Sequence, residues 1–311
     1  MKRFIIITAI LATGLVATAQ NEDDALRYSM NRYSGTARSV SLGGAMGALG
    51  GDYSSIGINP AGIAVYRSSE FTFTPSLNYS KTNSEYYKTK SDDDRLSVPF
   101  QQIGFVGTYK PIREVSKGLV SSHFSIGYNR TNSFSRKSFI QGDRINHSML
   151  DRFTYYEDYA YSEVTDNLGL TYFDENLGTD GGYLNAFEYV NNGERKWGPS
   201  SGINQIRTIN ERGNAGEFTI TGGFNISNKL LVGGSFGINN FVYQRDMQHF
   251  EESTGYSVEY YDYCQTEGYA GLDNYTFEEE LRTTGVGVNL KVGVIYKPVN
   301  SWRMESCADS Q

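Results

Sequence analysis

The sequence predicts an all-β protein, an antiparallel up-and-down transmembrane β-barrel with a glycine-rich plug on its N-terminal side. Three observations predict this class. Strand-length segments alternate apolar residues with Gly, Ser, Thr and Asn, their connections alternate between short and long, and a secretory leader precedes a chain with no apolar run of ~18 residues. The composition agrees, with 24 Tyr, 17 Phe and 34 Gly but only 6 Pro among 311 residues.

Residues 1–19 have the pattern of a signal peptide. Lys2 and Arg3 form a positive start, an apolar stretch follows, and Ala17–Ala19 supplies small residues for cleavage. We expect the mature chain to begin at Gln20, outside the cytoplasm. Loss of Lys2 and Arg3 takes the formal net charge from -7 to -9, which argues against nucleic acid as a partner.

A glycine-rich segment, residues 20–67, precedes the first strand. Within Ser39–Tyr66, glycines are interleaved with apolar residues, and glycine lets backbones approach closely. Pro60 fixes its own φ and the Asn59 side chain can bond the backbone two residues on, so Asn59-Pro60-Ala61 predicts a rigid turn. The spacing fits no phosphate-binding loop. The segment is predicted to pack as a plug, with a surface loop as the alternative.

Six strands of about ten residues are predicted within residues 68–300. In each, one face is apolar and the other carries mainly Gly, Ser, Thr or Asn, as for a wall with lipid outside and a polar lumen inside. The predicted strands are Glu70–Tyr79, Gln102–Tyr109, Ser122–Asn129, Phe218–Ile226, Leu230–Asn239 and Gly285–Tyr296.

The connections between these strands fall into two classes that alternate along the chain. Short turns are predicted at residues 111–118, 227–229 and 298–300, and long extracellular loops at residues 80–97, 140–212 and 245–274. Turns at one end and loops at the other are typical of outer-membrane barrels.

The turn Asn59-Pro60-Ala61, in a coil directly ahead of the first strand, resembles the hatch of the FadL family of outer-membrane transporters. The resemblance covers Thr36–Tyr66, and the following strands by pattern alone. It implies passive uptake of a hydrophobic small molecule, such as a long-chain fatty acid, across the cell outer membrane, with no enzymatic activity and no cofactor. The further partners that it implies are outer-membrane lipid, lipopolysaccharide and the barrel-assembly machinery.

In that family the hatch moves, and a kink in the third strand opens the wall sideways. The resemblance therefore implies that Asn59, Pro60 and Ala61 take part in gating. The third strand corresponds to Ser122–Phe134 here, with Gly127 as its expected weak point.

Residues 301–311 show no sustained alternation, so no seventh strand is predicted there and the stretch is interpreted as an aberrant or truncated tail. The FadL fold has fourteen strands, so six would form a partial barrel covering the N-terminal half. The alternative is a barrel assembled from several chains.

Two groups of side chains in the long loops each allow two interpretations. Asp92–Asp94 either bridges divalent cations to lipopolysaccharide phosphates or is a solvated loop tip. The aromatic residues of the longest loop either form a greasy docking surface or pack the loop on itself. These aromatic residues are Tyr155, Tyr156, Tyr159, Tyr161, Tyr172, Phe173, Tyr183, Phe187 and Tyr189.

Neither a catalytic centre nor a metal site is predicted. Ser121 and Ser122 lie beside His123, but neighbours on a strand point to opposite faces, so no serine–histidine pair is expected. Cys264 and Cys307 are the only cysteines, and no structural disulfide is predicted. The alternative function is a surface adhesin, or an outer-membrane protein that binds haem or another ligand without transport.

Residues 140–212 are predicted to be exposed at the cell surface. Protease added to intact cells should therefore cut the chain within this range. Cleavage that required prior opening of the outer membrane would show that the predicted orientation is inverted.

Overall fold

The computed structural model describes residues 22–30, 34–112, 117–155, 168–179, 182–269, 271–299 and 302–310. The predicted signal peptide and Tyr156, Tyr159 and Tyr161 lie outside the described residues. The described part of the chain is mostly antiparallel β-structure, so the all-β class is confirmed.

The described residues form fourteen strands, most of them joined in one sheet. They are β1 Glu70–Pro75, β2 Asn78–Tyr86, β3 Thr89–Ser97, β4 Phe100–Tyr109, β5 Leu119–Ser133, β6 Arg136–Ile145, β7 Thr171–Asp174, β8 Gly182–Asn185, β9 Glu188–Asn191, β10 Glu194–Trp197, β11 Ile203–Ile226, β12 Leu230–Ser253, β13 Asn274–Val299 and β14 Trp302–Ser310.

The main sheet has the order β1-β4-β5-β11-β12-β13-β14, and β6 continues the line of β5 along β11. Among the described residues, β1 and β14 are its two edges. The remaining strands pair as three separate hairpins, β2–β3, β7–β8 and β9–β10.

A tight turn sets the register of β11 and β12, which follow one another directly along the chain. Ser227 and Asn228, between β11 and β12, have φ angles of 53° and 57°. Two successive residues with positive φ match the right-handed twist of the flanking strands. The connections β4–β5, β11–β12 and β13–β14 are short, where short turns are predicted, and they lie at one end of the sheet.

Five of the six predicted strands are too short, and the first, Glu70–Tyr79, is divided between β1 and β2. Strands β11, β12 and β13 have 24, 24 and 26 residues. Their far halves carry polar and charged residues on both faces, so they show no apolar alternation, although the ladder pairs continue. The loop predicted at 80–97 is instead the β2–β3 hairpin, and much of 245–274 lies in β12 and a helix.

The prediction that residues 301–311 form no strand is wrong. Residues Trp302–Ser310 form β14, which pairs with β13 from Leu290 to Val299. Its residues are all exposed, so backbone pairing rather than burial of an apolar face places this strand.

The N-terminal segment, residues 34–67, packs against one face of the main sheet. It follows helix α1 (Glu22–Ser29) and contains α2 (Ala37–Ser41), α3 (Tyr53–Ile56) and a 3₁₀ helix at Pro60–Val65. Its apolar side chains form clusters with β-strand residues, for example Ala61 and Ala64 with Leu231 and Ile295. Among the described residues, no helix is long and apolar enough to cross a membrane.

A distal region, made of the described residues within 146–202 and 254–273, lies at the end of the sheet opposite the short turns. It contains β7–β10 and the helices α4 (Asp151–Tyr155) and α5 (Val258–Glu267). Tyr189 and Tyr260 pack together in a buried cluster, and Tyr172 and Phe187 are buried as well. Phe187 packs on Trp197 within the aromatic loop, but Tyr172 stacks on Tyr269 and Tyr189 packs on Tyr260, so the loop packs against residues outside 140–212 as well as on itself.

Glu188 in the distal region carries a pH-dependent contribution to stability. Burial raises its pKa to about 7, against bonds from the Asn185 backbone at 3.1 Å and Arg195 at 3.6 Å. The folded state therefore binds this proton more tightly than the unfolded state, and stability falls as pH rises from about 4.5 through about 7.

We expect Glu188→Gln to remove this loss, which is on the order of 3 kcal/mol. Thermal unfolding of the distal region at about pH 5 and about pH 8 measures it. The matched control is Glu194→Gln, because Glu194 is an exposed carboxylate on the neighbouring strand. Equal pH dependence in the wild type and Glu188→Gln would contradict the expectation.

Candidate functional site: the seat of the N-terminal segment

The turn singled out by the sequence is buried against the sheet. The Asn59 side-chain oxygen accepts a hydrogen bond from the Ala61 amide at 3.0 Å, the bond that the sequence predicts. Pro60 begins the 3₁₀ helix, where its fixed φ and missing N–H cost nothing. Asn59, Pro60 and Ala61 are all buried, so this turn is a rigid, fully packed part of the contact.

Glycines on the sheet make room for this turn. Gly223, Gly233 and Gly293 are neighbours in the register of β11, β12 and β13, and form one row across the sheet. A Cβ at 293 would overlap the Asn59 amide, and a Cβ at 233 would overlap the backbone of Pro60. The row is therefore a seat that only residues without side chains can form.

A second pair of glycines receives Tyr53 of the N-terminal segment. Gly104 and Gly127 pair directly across β4 and β5, and a Cβ at either would overlap the Tyr53 ring or hydroxyl. The Tyr53 hydroxyl also lies 3.3 Å from the Thr219 hydroxyl on β11.

The structure gives Gly127 a different setting from the expected weak point. Gly127 is regularly paired with Gly104 on one side and Thr219 on the other. The ladder between β5 and β11 has two register irregularities. One falls four residues later, where Arg130 and Asn132 pair with consecutive residues of β11 and Thr131 is skipped, and the other skips Val120 near the start of β5. Gly127 is small because Tyr53 occupies the space of a side chain.

A buried ion pair lies beside the seat. The Lys291 ammonium on β13 is 3.0 Å from both carboxylate oxygens of Glu217 on β11. The same ammonium donates to the Gly57 carbonyl of the N-terminal segment at 3.1 Å, and Asn289 donates to Glu217 at 2.8 Å. Both charged side chains are almost fully buried.

The main sheet buries a face of small, polar and charged residues and exposes an apolar face, which is the reverse of the usual arrangement in a soluble sheet. On the face that holds the N-terminal segment, Glu217 and Thr219 are 3% and 1% exposed. On the opposite face Phe71 is 67% and Val286 is 81% exposed. Further exposed residues with large apolar side chains lie on this opposite face of β1, β4, β5, β11, β12 and β13. They are Phe73, Phe105, Phe124, Ile126, Phe218, Ile220, Phe224, Phe236, Ile238, Val288, Leu290 and Val292.

A cavity of about 650 Å³ lies where β4 and β5 part. The β4–β5 ladder ends at the pair Gln102 and Asn129. Beyond it, the β3 hairpin touches β6 through Ser91, which donates to the Phe139 carbonyl at 2.8 Å. The cavity lies between, lined by Ser34, Gly35, Ala37, Thr74, Arg130 and Ser133 among others.

The exclusion of a serine–histidine pair is wrong for Ser121. Ser121 lies two residues before His123, so both side chains share a face of the strand. The Ser121 hydroxyl is 2.8 Å from His123 Nε2, and the Thr108 hydroxyl is 3.1 Å from Nδ1. Hydroxyls lie at hydrogen-bond distance from both ring nitrogens, so this trio links β4 and β5 through side chains.

A polar cluster lies at the distal end of β11 and β12. Glu251 accepts bonds from the Met149 amide at 2.8 Å and from the Gln205 side chain at 2.9 Å, and His249 lies 2.7 Å away. Burial would raise the Glu251 pKa, but bonds from His249, Ser148 and Met149 hold it below its ordinary value. Ser148 bonds the carboxylate rather than the imidazole, so the cluster joins the distal region to the sheet.

The acidic run on β3 is paired with lysines. Asp92 lies 2.9 Å from Lys81 and Asp93 lies 3.2 Å from Lys137. The described residues contain no group of acidic, histidine or cysteine side chains that could hold a metal ion.

Comparison with protein-family models, curated proteins and solved structures finds no match to this chain. The geometry of the seat, the ion pair and the inverted faces therefore carries the functional argument.

Substituting Gly293 should displace the N-terminal segment. In Gly293→Ala the new methyl overlaps Asn59, and overpacking of this kind costs about 1–3 kcal/mol. The matched control is Gly287→Ala, on the same strand and face, where a Cβ meets nothing within 4 Å. We expect trypsin to cleave after Arg38 several-fold faster in Gly293→Ala only, with similar rates in both variants contradicting the role of the seat.

Proposed function

We propose that this chain is an outer-membrane protein that admits hydrophobic small molecules passively, such as long-chain fatty acids, with the N-terminal segment as its movable plug. The observation that carries the proposal is the inversion of the sheet, with a continuous apolar face exposed and a polar, charged face buried. The signal peptide predicted from the sequence agrees with this location.

The apolar face argues for a lipid environment. Burying one side chain of Leu or Phe size is worth about 1.5–3 kcal/mol, so leaving this whole face in water forfeits free energy comparable with the ~5–15 kcal/mol of a typical domain. Soluble sheets bury such a face, whereas strands in a bilayer direct it outward. Tyr79, Tyr109 and Tyr296 are exposed near strand ends, where interfacial aromatic residues are expected.

The cavity beside β5 supports a sideways route for the ligand. It lies between the N-terminal segment and the stretch where β4 and β5 have separated, so it touches both the polar interior and the wall. Movement of the N-terminal segment away from the sheet would enlarge this cavity, because the segment forms one side of it. Under this proposal the exit lies near Thr131 rather than at Gly127.

The experiment measures uptake of a radiolabelled long-chain fatty acid by cells that express Asn59→Ala or Pro60→Ala. Loss of an N-cap costs about 1 kcal/mol, which loosens the turn without touching a strand ladder. We expect uptake to change several-fold while the folded, heat-modifiable band on gels remains. Pro111→Ala, in the connection after β4, is the control for loss of a proline.

Two outcomes would contradict this proposal. Loss of the folded band in Asn59→Ala or Pro60→Ala would show that the turn is structural and not part of a gate. Wild-type cells that take up no more fatty acid than cells without the gene, with the protein folded at the surface, would favour an adhesin or ligand-binding protein.

A further inference from the structure

The ion pair Glu217–Lys291 spans three strands of the sheet. Glu217 is on β11 and Lys291 on β13, so β12 lies between them. The register places Gly237 of β12 between the two positions, and a Cβ there would overlap Glu217 and Asn289. Gly237 thus leaves the space in which these side chains meet.

All three hydrogens of the Lys291 ammonium have partners. Two oxygens of Glu217 lie at 3.0 Å and the Gly57 carbonyl lies at 3.1 Å. An ammonium donates three hydrogen bonds and accepts none. Two of these bonds therefore fix Lys291 to Glu217 on the main sheet. The third bond holds the N-terminal segment at Gly57, two residues before Asn59.

Few other polar groups of the seat hold the N-terminal segment. Ser125, Thr221 and Ser235 form a row of buried hydroxyls across β5, β11 and β12, and these hydroxyls have no hydrogen-bond partner among the described residues. The Tyr53–Thr219 contact is long at 3.3 Å, and Ser54 donates to Gln102 at 2.8 Å. The Lys291–Gly57 bond is charge-assisted, as is the bond from Arg303 on β14 to the Leu49 carbonyl at 2.6 Å, and such bonds are about twice as strong as neutral ones.

We propose that Glu217 and Lys291 form a latch that holds the N-terminal segment in its closed position. Glu217 fixes and neutralises Lys291, and Lys291 holds Gly57. A buried ion pair gives little net stability relative to apolar residues of similar size, so its use here is to position one donor. The inference rests on the proposed function for its purpose, but not for its test.

The test follows exposure of the segment rather than transport. A reporter thiol is introduced as Ala64→Cys, at a residue that is 1% exposed, in a chain that also carries Cys264→Ser and Cys307→Ser. The rate at which a maleimide labels this thiol is measured in the folded, detergent-extracted protein. The reference has wild-type residues at 217 and 291.

Two variants distinguish loss of the Lys291–Gly57 bond from a general disturbance of the sheet. Glu217→Gln with Lys291→Met removes both buried charges together and leaves no donor for Gly57. The part-exposed Asp309 on β14, whose carboxylate is 3.9 Å from the Lys291 ammonium, loses that contact in the same variant. We expect labelling about tenfold faster, the change that corresponds to about 1.4 kcal/mol. Lys291→Arg keeps the charge and the donors, and we expect it to label within about twofold of the reference.

Either of two results would overturn the latch. A folded double variant that labels at the reference rate would show that the glycine seat alone holds the segment. Loss of the folded, heat-modifiable band in the double variant would make the pair a part of the wall. Faster labelling without any fatty-acid uptake by the reference protein would leave the latch standing and reject the proposed function.

Discussion

Close approach of the N-terminal segment to the sheet is the contact on which the rest of the structure depends. The inner face of the strands carries only scattered apolar side chains, such as Val106, Leu231 and Ile295, among small and polar residues. Glycines in register on adjacent strands instead let a separate piece of backbone come within contact distance. The apolar residues of the segment, such as Ile63 and Ala64, then pack in the same buried clusters as these strand residues.

The N-terminal segment satisfies much of its own polar backbone. Thr36, Asp52 and Asn59 each cap a short helix by accepting a bond from an amide two or three residues further on, at 2.9–3.1 Å. The Thr36 hydroxyl also donates to Asp52 at 2.7 Å, which ties two of these caps together. Because these bonds lie within the segment, they do not depend on its contact with the sheet, as the proposed movement of a plug requires.

The sequence was sufficient to predict the strands where one face is apolar, and insufficient elsewhere. The far half of β12 has polar residues on both faces, and the exposed β14 has no apolar stripe, so neither shows a period of two. The Asn59 turn could be predicted because its hydrogen bond is local. The Glu217–Lys291 pair could not, because it depends on the register of three strands. The available signal in the sequence was one acidic and one basic residue, Glu217 and Lys291, each on a strand face of otherwise small or polar residues.

The edge strand β14 limits the environments that fit the sheet. Its outer edge has no partner among the described residues, and it exposes Arg303, Glu305 and Asp309. Unpaired backbone groups and charges are too costly to face hydrocarbon directly. Arg303 already turns inward, donating to the Leu49 carbonyl at 2.6 Å. If the apolar face lies in lipid, as proposed, the backbone groups along this edge need protein hydrogen-bond partners, because lipid supplies none.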